Sequence, residues 1–268
     1  MFKHLQAIVL DWAGTTVDHG SRAPAIVFQA IFEQRGIPIT PAHAREPMGM
    51  AKRDHIAAIA AMPDIATAWQ SKYGSTCSED DIDAMYAEFL PLQKETLKDH
   101  SVLIPGIADA VTECKSRGLR IGSSTGYTPE LMSVVSPLAS EQGYEPEFVL
   151  CAGDAPRGRP APFLLFEAAK RLDVYPMWRV VKVDDTPVGI EAGRNAGCWT
   201  VGVTRTGNCV GLSLEELVAL SDAERQERYE AAGKILTNAG AHYLIESVAD
   251  IAPLLDTIDA AIEAGETP

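Results

Sequence analysis

Short apolar runs that stop on polar residues, each followed by a segment of helical spacing, constrain this chain more than any other feature. Ala7-Ile8-Val9-Leu10 stops on Asp11, Leu119-Arg120-Ile121-Gly122 on Ser123-Ser124-Thr125, and Val180-Val181-Lys182-Val183 on Asp184-Asp185. Further runs lie at 148–151, Trp199–Val203 and Tyr243–Ile245. Helical patterns fill 107–117, 129–138, 162–172 and 190–196, two of them closed by Gly118 and Gly197. Continuous apolar runs mark strands covered on both faces, and strands alternating with helices build a parallel, doubly wound sheet.

The alternation is broken once. Between 20 and 100 no strand pattern occurs. Apolar pairs at Val27-Phe28 and Ile31-Phe32 sit four residues apart, and Thr40-Pro41 reads as an N-cap with proline at the first helical position. Further helical stretches run over 50–61 and before Trp69, and Ser78-Glu79-Asp80-Asp81 opens a long helix reaching Leu97. The expected architecture is therefore α/β: a doubly wound, Rossmann-like core of residues 1–19 and 101–268, interrupted by an all-helical domain over 20–100. The acidic helical stretches after Leu214 read as solvated surface.

Composition removes several function classes. A net charge of −14 argues against nucleic acid or an anionic membrane as partner. No segment approaches the roughly 20 apolar residues that span a bilayer, and the first residues carry no signal-peptide pattern. Five scattered cysteines without a CxxC pair fit a reduced, cytoplasmic setting. Trp12, Trp69, Trp178 and Trp199 read as core or interface residues, and His4, His19, His43, His100 and His242 lack ligand spacing.

In open α/β sheets ligands gather beyond the C-terminal ends of strands. Asp11, Thr125, the loop holding Arg159, and Asp184-Asp185 all belong to that edge. They supply a carboxylate nucleophile, a hydroxyl anchor, a fixed cation and further carboxylates. Phosphoryl transfer needs such a set, because its catalysis is mostly positioning and neutralisation of oxygen charge. Oxygen donors without Cys or His clusters suit Mg²⁺.

These motifs resemble the haloacid dehalogenase superfamily. DWAGTTVD, PMGMAKRDH, STGYT, GRPAP and EAGRNAGCWTVGV, spread from Ala7 to about Val203, resemble its phosphonatase (phosphonoacetaldehyde hydrolase) family more closely. The resemblance implies Asp11 as nucleophile, Arg159 paired with it or with phosphonate oxygens, and Thr125 and Gly126 binding a phosphonyl oxygen. It implies Mg²⁺ held by Asp11, the Ala13 carbonyl and Asp185. Lys52, in a helix start, would condense with a substrate aldehyde. His55 on the same helix face would shuttle protons, and Met48, Gly49 and Tyr127 would line the pocket. The implied substrate is a small phosphonate, cleaved to acetaldehyde and phosphate, and the implied assembly is a homodimer through the helical domain.

Two positions depart from relatives. Ala13 stands where superfamily phosphatases carry an acid that protonates the leaving oxygen, and Gly189 stands where other members carry a further Asp. Two competing readings remain at this point: a phosphatase or phosphomutase of the same superfamily, and a non-catalytic anion-binding module.

Overall fold

The computed structural model describes residues 1–268. Six strands form one parallel sheet: β1 Ala7–Leu10, β2 Arg120–Ser124, β3 Val149–Leu150, β4 Val180–Asp184, β5 Trp199–Val203 and β6 Tyr243–Ile245. Their spatial order is β3-β2-β1-β4-β5-β6. The order reverses between β1 and β4, the place where a doubly wound sheet opens a crevice for ligands. Register sharpens this point. Leu10 pairs with Val183, and the Asp11 N–H donates to the Val183 carbonyl at 3.1 Å, so Asp11 and Asp184 leave the sheet side by side.

Between β1 and β2 the chain is wholly helical: α1 Arg22–Gln34, α2 Pro41–Arg45, α3 Lys52–Ala60, α4 Pro63–Tyr73 and α5 Glu79–His100. The signals read from sequence act where they fall. Thr40 caps α2 with Pro41 in its first turn, and Ser78 caps α5 in a capping box with Asp81. Each such cap contributes about 1 kcal/mol. The helix expected over 50–61 begins instead at Lys52, after a turn in which Gly49 takes a φ of +96°. Phe28, Ile31, Ile56, Ile59, Met85 and Phe89 form the centre of an apolar cluster of 17 buried residues, distinct from the cluster beneath the sheet. The insert thus has a core of its own.

The remaining helices cover the sheet: α6 Ile107–Ser116, α7 Pro129–Glu141, α8 Phe163–Arg171, α9 Pro187–Ala196, α10 Leu214–Ala219, α11 Asp222–Asn238 and α12 Ile251–Glu263. The reading of the C-terminal helices as solvated surface needs correction for α12. Ile251, Leu255, Ile258 and Ile262, spaced three or four apart, are buried in the main core. At the edge of that face stands Asp259, which accepts N–H bonds from Lys3, His4 and Leu5 at 2.8–3.0 Å. Trp12, Trp69 and Trp199 are buried, whereas Trp178 packs at the core margin. No helix is long and apolar enough to cross a membrane.

Candidate active site

The turn after β1 is built around close approach. Gly14 has a φ of +84°, and a Cβ there would fall 2.2 Å from Asp185 Oδ2. Glycine therefore lets the strand-end loop lie directly against the carboxylate that follows β4. Thr15 Oγ1 donates to Asp185 Oδ1 at 2.8 Å, and the Asn208 N–H donates to Oδ2 at 2.8 Å. Asp185 is fixed from both sides.

Arg159 joins the strand ends. Its Nη2 donates to Asp11 Oδ1 at 2.7 Å and to the Ser124 carbonyl at 2.5 Å, while Nη1 lies 3.1 Å from Asp184 Oδ2. Asp184 also receives Lys182 Nζ at 2.8 Å and the Thr186 hydroxyl at 2.7 Å. Lys182, Asp184 and Asp185 are fully buried, and Arg159 and Asp11 nearly so. Burial works against the Arg159 charge, but Asp11 and Asp184 outweigh it and hold the guanidinium above its ordinary value. Burial likewise opposes the Asp184 charge, yet Lys182 and Arg159 keep that carboxyl below its usual range. Asp11 and Asp185 go the other way: burial first, then the neighbouring carboxylates, raise both, Asp185 well above the usual range.

Asp11, Asp184 and Asp185 each present an oxygen within 4.8 Å of the others. Two of these three carboxyls are held under electrostatic strain that the nearby cations do not relieve. A divalent cation among hard oxygen donors removes that strain, so the residues fit the metal that this donor set implies.

Facing this edge from the insert is Lys52, the first residue of α3 and only 3% exposed. Its Nζ lies 4.8 Å from the Tyr127 ring centroid and 5.5 Å from that of Phe28. Burial lowers its pKa from 10.5 to about 7, Arg159 assisting and Asp11 opposing. His55 lies beneath it, stacked on Phe28 with ring centroids 3.8 Å apart. Its Nε2 lies 3.0 Å from the Ala44 carbonyl, which requires the proton on Nε2 and leaves Nδ1 as an unpartnered acceptor. Burial and Lys52 push His55 well below its ordinary pKa, so the ring is neutral.

One small cavity collects Asp11, Ala13, Lys52, Thr125 and Arg159, with Met48, Gly49, Gly126 and Tyr127 also on its wall. His55 and Asp185, both buried, do not line it. Two glycines seat the insert on the core. A Cβ at Gly49 would fall 2.4 Å from Thr186 Oγ1, and one at Gly126 would fall 2.6 Å from the Met50 carbonyl oxygen. A larger groove of about 580 Å³ between α11 and β6 contains none of Asp11, Asp184 and Asp185.

The sequence pattern did not single out Lys182, Ser124, Thr186 or Asn208, nor Ser21, which also lines the small cavity. Lys182 read as one member of an apolar strand, and only the period-two alternation that pairs it with Asp184 hinted at its role. Asn208 and Ser21 gave no signal, because their loops are brought to the site by the fold alone.

The haloacid dehalogenase-like hydrolase profile matches residues 5–197. A phosphonoacetaldehyde hydrolase of Paraburkholderia phytofirmans is 46% identical over 266 residues, covering 99% of this chain and 100% of that protein. One from Bacillus cytotoxicus is 41% identical over 255 residues, covering 95% and 97%. The crystal structure of a phosphonoacetaldehyde hydrolase-like protein from Oleispira antarctica superposes with a TM-score of 0.97 at 42% identity, covering 99% of this chain and 96% of that one. Together with the strand-end carboxylates and the buried lysine that faces them, these matches show that the chain belongs to the phosphonoacetaldehyde hydrolase family of haloacid dehalogenase-like hydrolases.

Proposed function

We propose that the chain cleaves the carbon–phosphorus bond of phosphonoacetaldehyde, giving acetaldehyde and phosphate. The observation that carries this reading is Lys52: an amine with a pKa of about 7, buried at a helix start in the cavity that also exposes Asp11. A free amine at neutral pH is what condensation with an aldehyde requires. A surface lysine has no reason to be there.

In this reading Lys52 adds to the aldehyde and water leaves, forming a protonated imine. The Asp11 carboxylate then attacks phosphorus in line. The carbon–phosphorus electron pair flows towards the iminium nitrogen, so carbon departs as an enamine rather than a bare carbanion. Protonation at carbon returns the imine, and water hydrolyses both the aspartyl phosphate and the imine. Neutral His55, with Nδ1 free, accepts and returns a proton near Lys52. Thr125 and Gly126 hold phosphonyl oxygens, Arg159 orients Asp11, and Met48, Gly49 and Tyr127 shape the pocket around the aldehyde.

The metal of this reading is Mg²⁺, which Asp11, the Ala13 carbonyl and Asp185 would hold and which would supply positive charge to offset that on the phosphonyl oxygens. Ala13 has no acid to donate to an ester oxygen, and this chemistry has no use for one. Residues 20–100 act as a cap that closes on a core of 1–19 and 101–268 and excludes water until the bond is cut. The reading includes a cytoplasmic setting and a homodimer joined through the cap, where Ile26 on α1 and Leu92 on α5 are exposed.

Borohydride reduction in the presence of phosphonoacetaldehyde tests the proposal. The expected result is a covalent adduct that maps to Lys52 and is absent from Lys52→Arg. Phosphate release from a folded Lys52→Arg variant at the unaltered rate would overturn it.

A further inference from the structure

Several polar contacts join the cap to the core, among them His100 with Asp18 and Lys94 with Glu130, but one bracket reaches the loop that touches Asp185. Arg45, the last residue of α2, donates from Nη1 to the Gly20 carbonyl at 2.7 Å and to Asn208 Oδ1 at 3.0 Å, and from Nη2 to the Gly211 carbonyl at 2.9 Å. Asn208 answers with its own amide, Nδ2 donating to the Arg45 carbonyl at 3.1 Å. Gly211 makes room, since a Cβ there would fall 2.7 Å from the Arg45 guanidinium carbon. The geometry suits arginine, whose planar fork reaches acceptors that diverge.

What gives this bracket meaning is the other end of Asn208. The same residue whose side chain grips Arg45 donates its backbone N–H to Asp185 Oδ2 at 2.8 Å. Its neighbours lie equally close: a Cβ at Gly207 would fall 2.5 Å from Asp185 Cβ, and Thr206 Oγ1 donates to the Gly14 carbonyl at 2.8 Å. The loop over 206–211 therefore touches cap and metal-side carboxylate at once, with no flexible residue between the two contacts.

We propose that Arg45 is a positioning residue: through Asn208 it couples closure of the cap to the orientation of Asp185, so that metal binding and cap closure favour each other. The inference rests on the proposed metal role of Asp185. If the two are coupled, the effect is reciprocal, because linkage between binding and conformation has one free energy read from either side. Metal at Asp185 favours the closed cap, and a cap held by Arg45 tightens metal.

Lys52 reports closure without any turnover, since an amine in the closed cavity is shielded from reagent. The test measures the rate at which trinitrobenzenesulfonate modifies Lys52, followed by peptide mass spectrometry, in EDTA and in saturating Mg²⁺. A parallel titration follows Mn²⁺ affinity by electron paramagnetic resonance. In the unaltered protein the metal is expected to slow Lys52 modification about fivefold or more, within the usual range of such couplings. Asn208→Ala and Arg45→Lys are expected to shrink that ratio to less than about twofold and to weaken Mn²⁺ binding by a similar factor. Asn208→Ala keeps the backbone N–H on Asp185, so its loss of coupling is not loss of a ligand. Retention of the full ratio in both variants overturns the proposal, as does the absence of metal-dependent protection in the unaltered protein. Borohydride trapping fails or succeeds separately from this ratio, so the reaction and the coupling are judged apart.

Discussion

The carboxylate of Asp184 fills the space that a side chain at position 189 would need: a Cβ built on Gly189 would fall 2.0 Å from Asp184 Cγ and Oδ2. β4 delivers that carboxylate, held by Lys182, Arg159 and Thr186. Gly189→Ala is expected to displace Asp184 and lower both kcat/KM and Mn²⁺ affinity about 10–100-fold, the usual cost of disturbing groups that orient a metal site. Asp184→Gly combined with Gly189→Asp is expected to recover part of the loss. Steady-state kinetics with a Mn²⁺ titration check both, and an unchanged Gly189→Ala enzyme would contradict this account.

The Lys52 amine sets a pH signature. With its pKa lowered to about 7, kcat/KM is expected to rise as pH passes through about 7 and then level, the profile of a base needed in free form. Stability follows the same group. Because the unfolded chain binds a proton between about 7 and 10.5 that the folded one does not, the penalty of burying Lys52 is full below about pH 7 and fades towards pH 10.5. Lys52→Met is thus expected to raise the melting temperature at pH 7 by several degrees and hardly at all near pH 10. Thermal scans across pH measure that narrowing gap.

Ala13 gives a change-of-function test. Ala13→Asp places an acid on the cavity wall, beside Asp11, and general acids contribute about 10²–10⁴-fold. Hydrolysis of a small alkyl phosphate is expected to rise at least about tenfold, while carbon–phosphorus cleavage falls because the new charge crowds Asp11 and favours protonated Lys52. Phosphate release from both substrates settles the matter.

Metal should act as a structural ligand as well. Burial and mutual repulsion hold Asp11 and Asp185 above the usual carboxylate range, so Mg²⁺ is expected to raise the melting temperature steadily with the logarithm of its concentration, by an amount worth about 2.7 kcal/mol at a hundred times its Kd. The shift should shrink as pH falls and protons compete for the carboxylates, and it should be lost in Asp185→Asn. Calorimetry with and without EDTA reads it directly.

The parallel sheet and the edge that holds the site follow from a pattern visible in the chain: apolar runs stopping on Asp11, Thr125 and Asp184. The strand order, and the register that places Asp11 beside Asp184, come from the structure. Lys52 is different. Periodicity alone makes it an ordinary helical lysine, and its meaning came from the motif around it. What stayed hidden was whatever depends on loops folding back, such as Asn208 reaching Asp185, or on a missing side chain, such as the space at Gly189. The buried face of α12 was obscured by its acidic neighbours, although Ile251, Leu255, Ile258 and Ile262 carry the right spacing.

Asp259 caps the first backbone amides of the chain from 255 positions away. At ordinary synthesis rates of about 5–20 residues per second, roughly 10–50 s separate the emergence of the opening segment from that of the carboxylate that anchors it. The segment leading into β1 thus pairs into the sheet with β2 and β4 well before these last bonds can close over it.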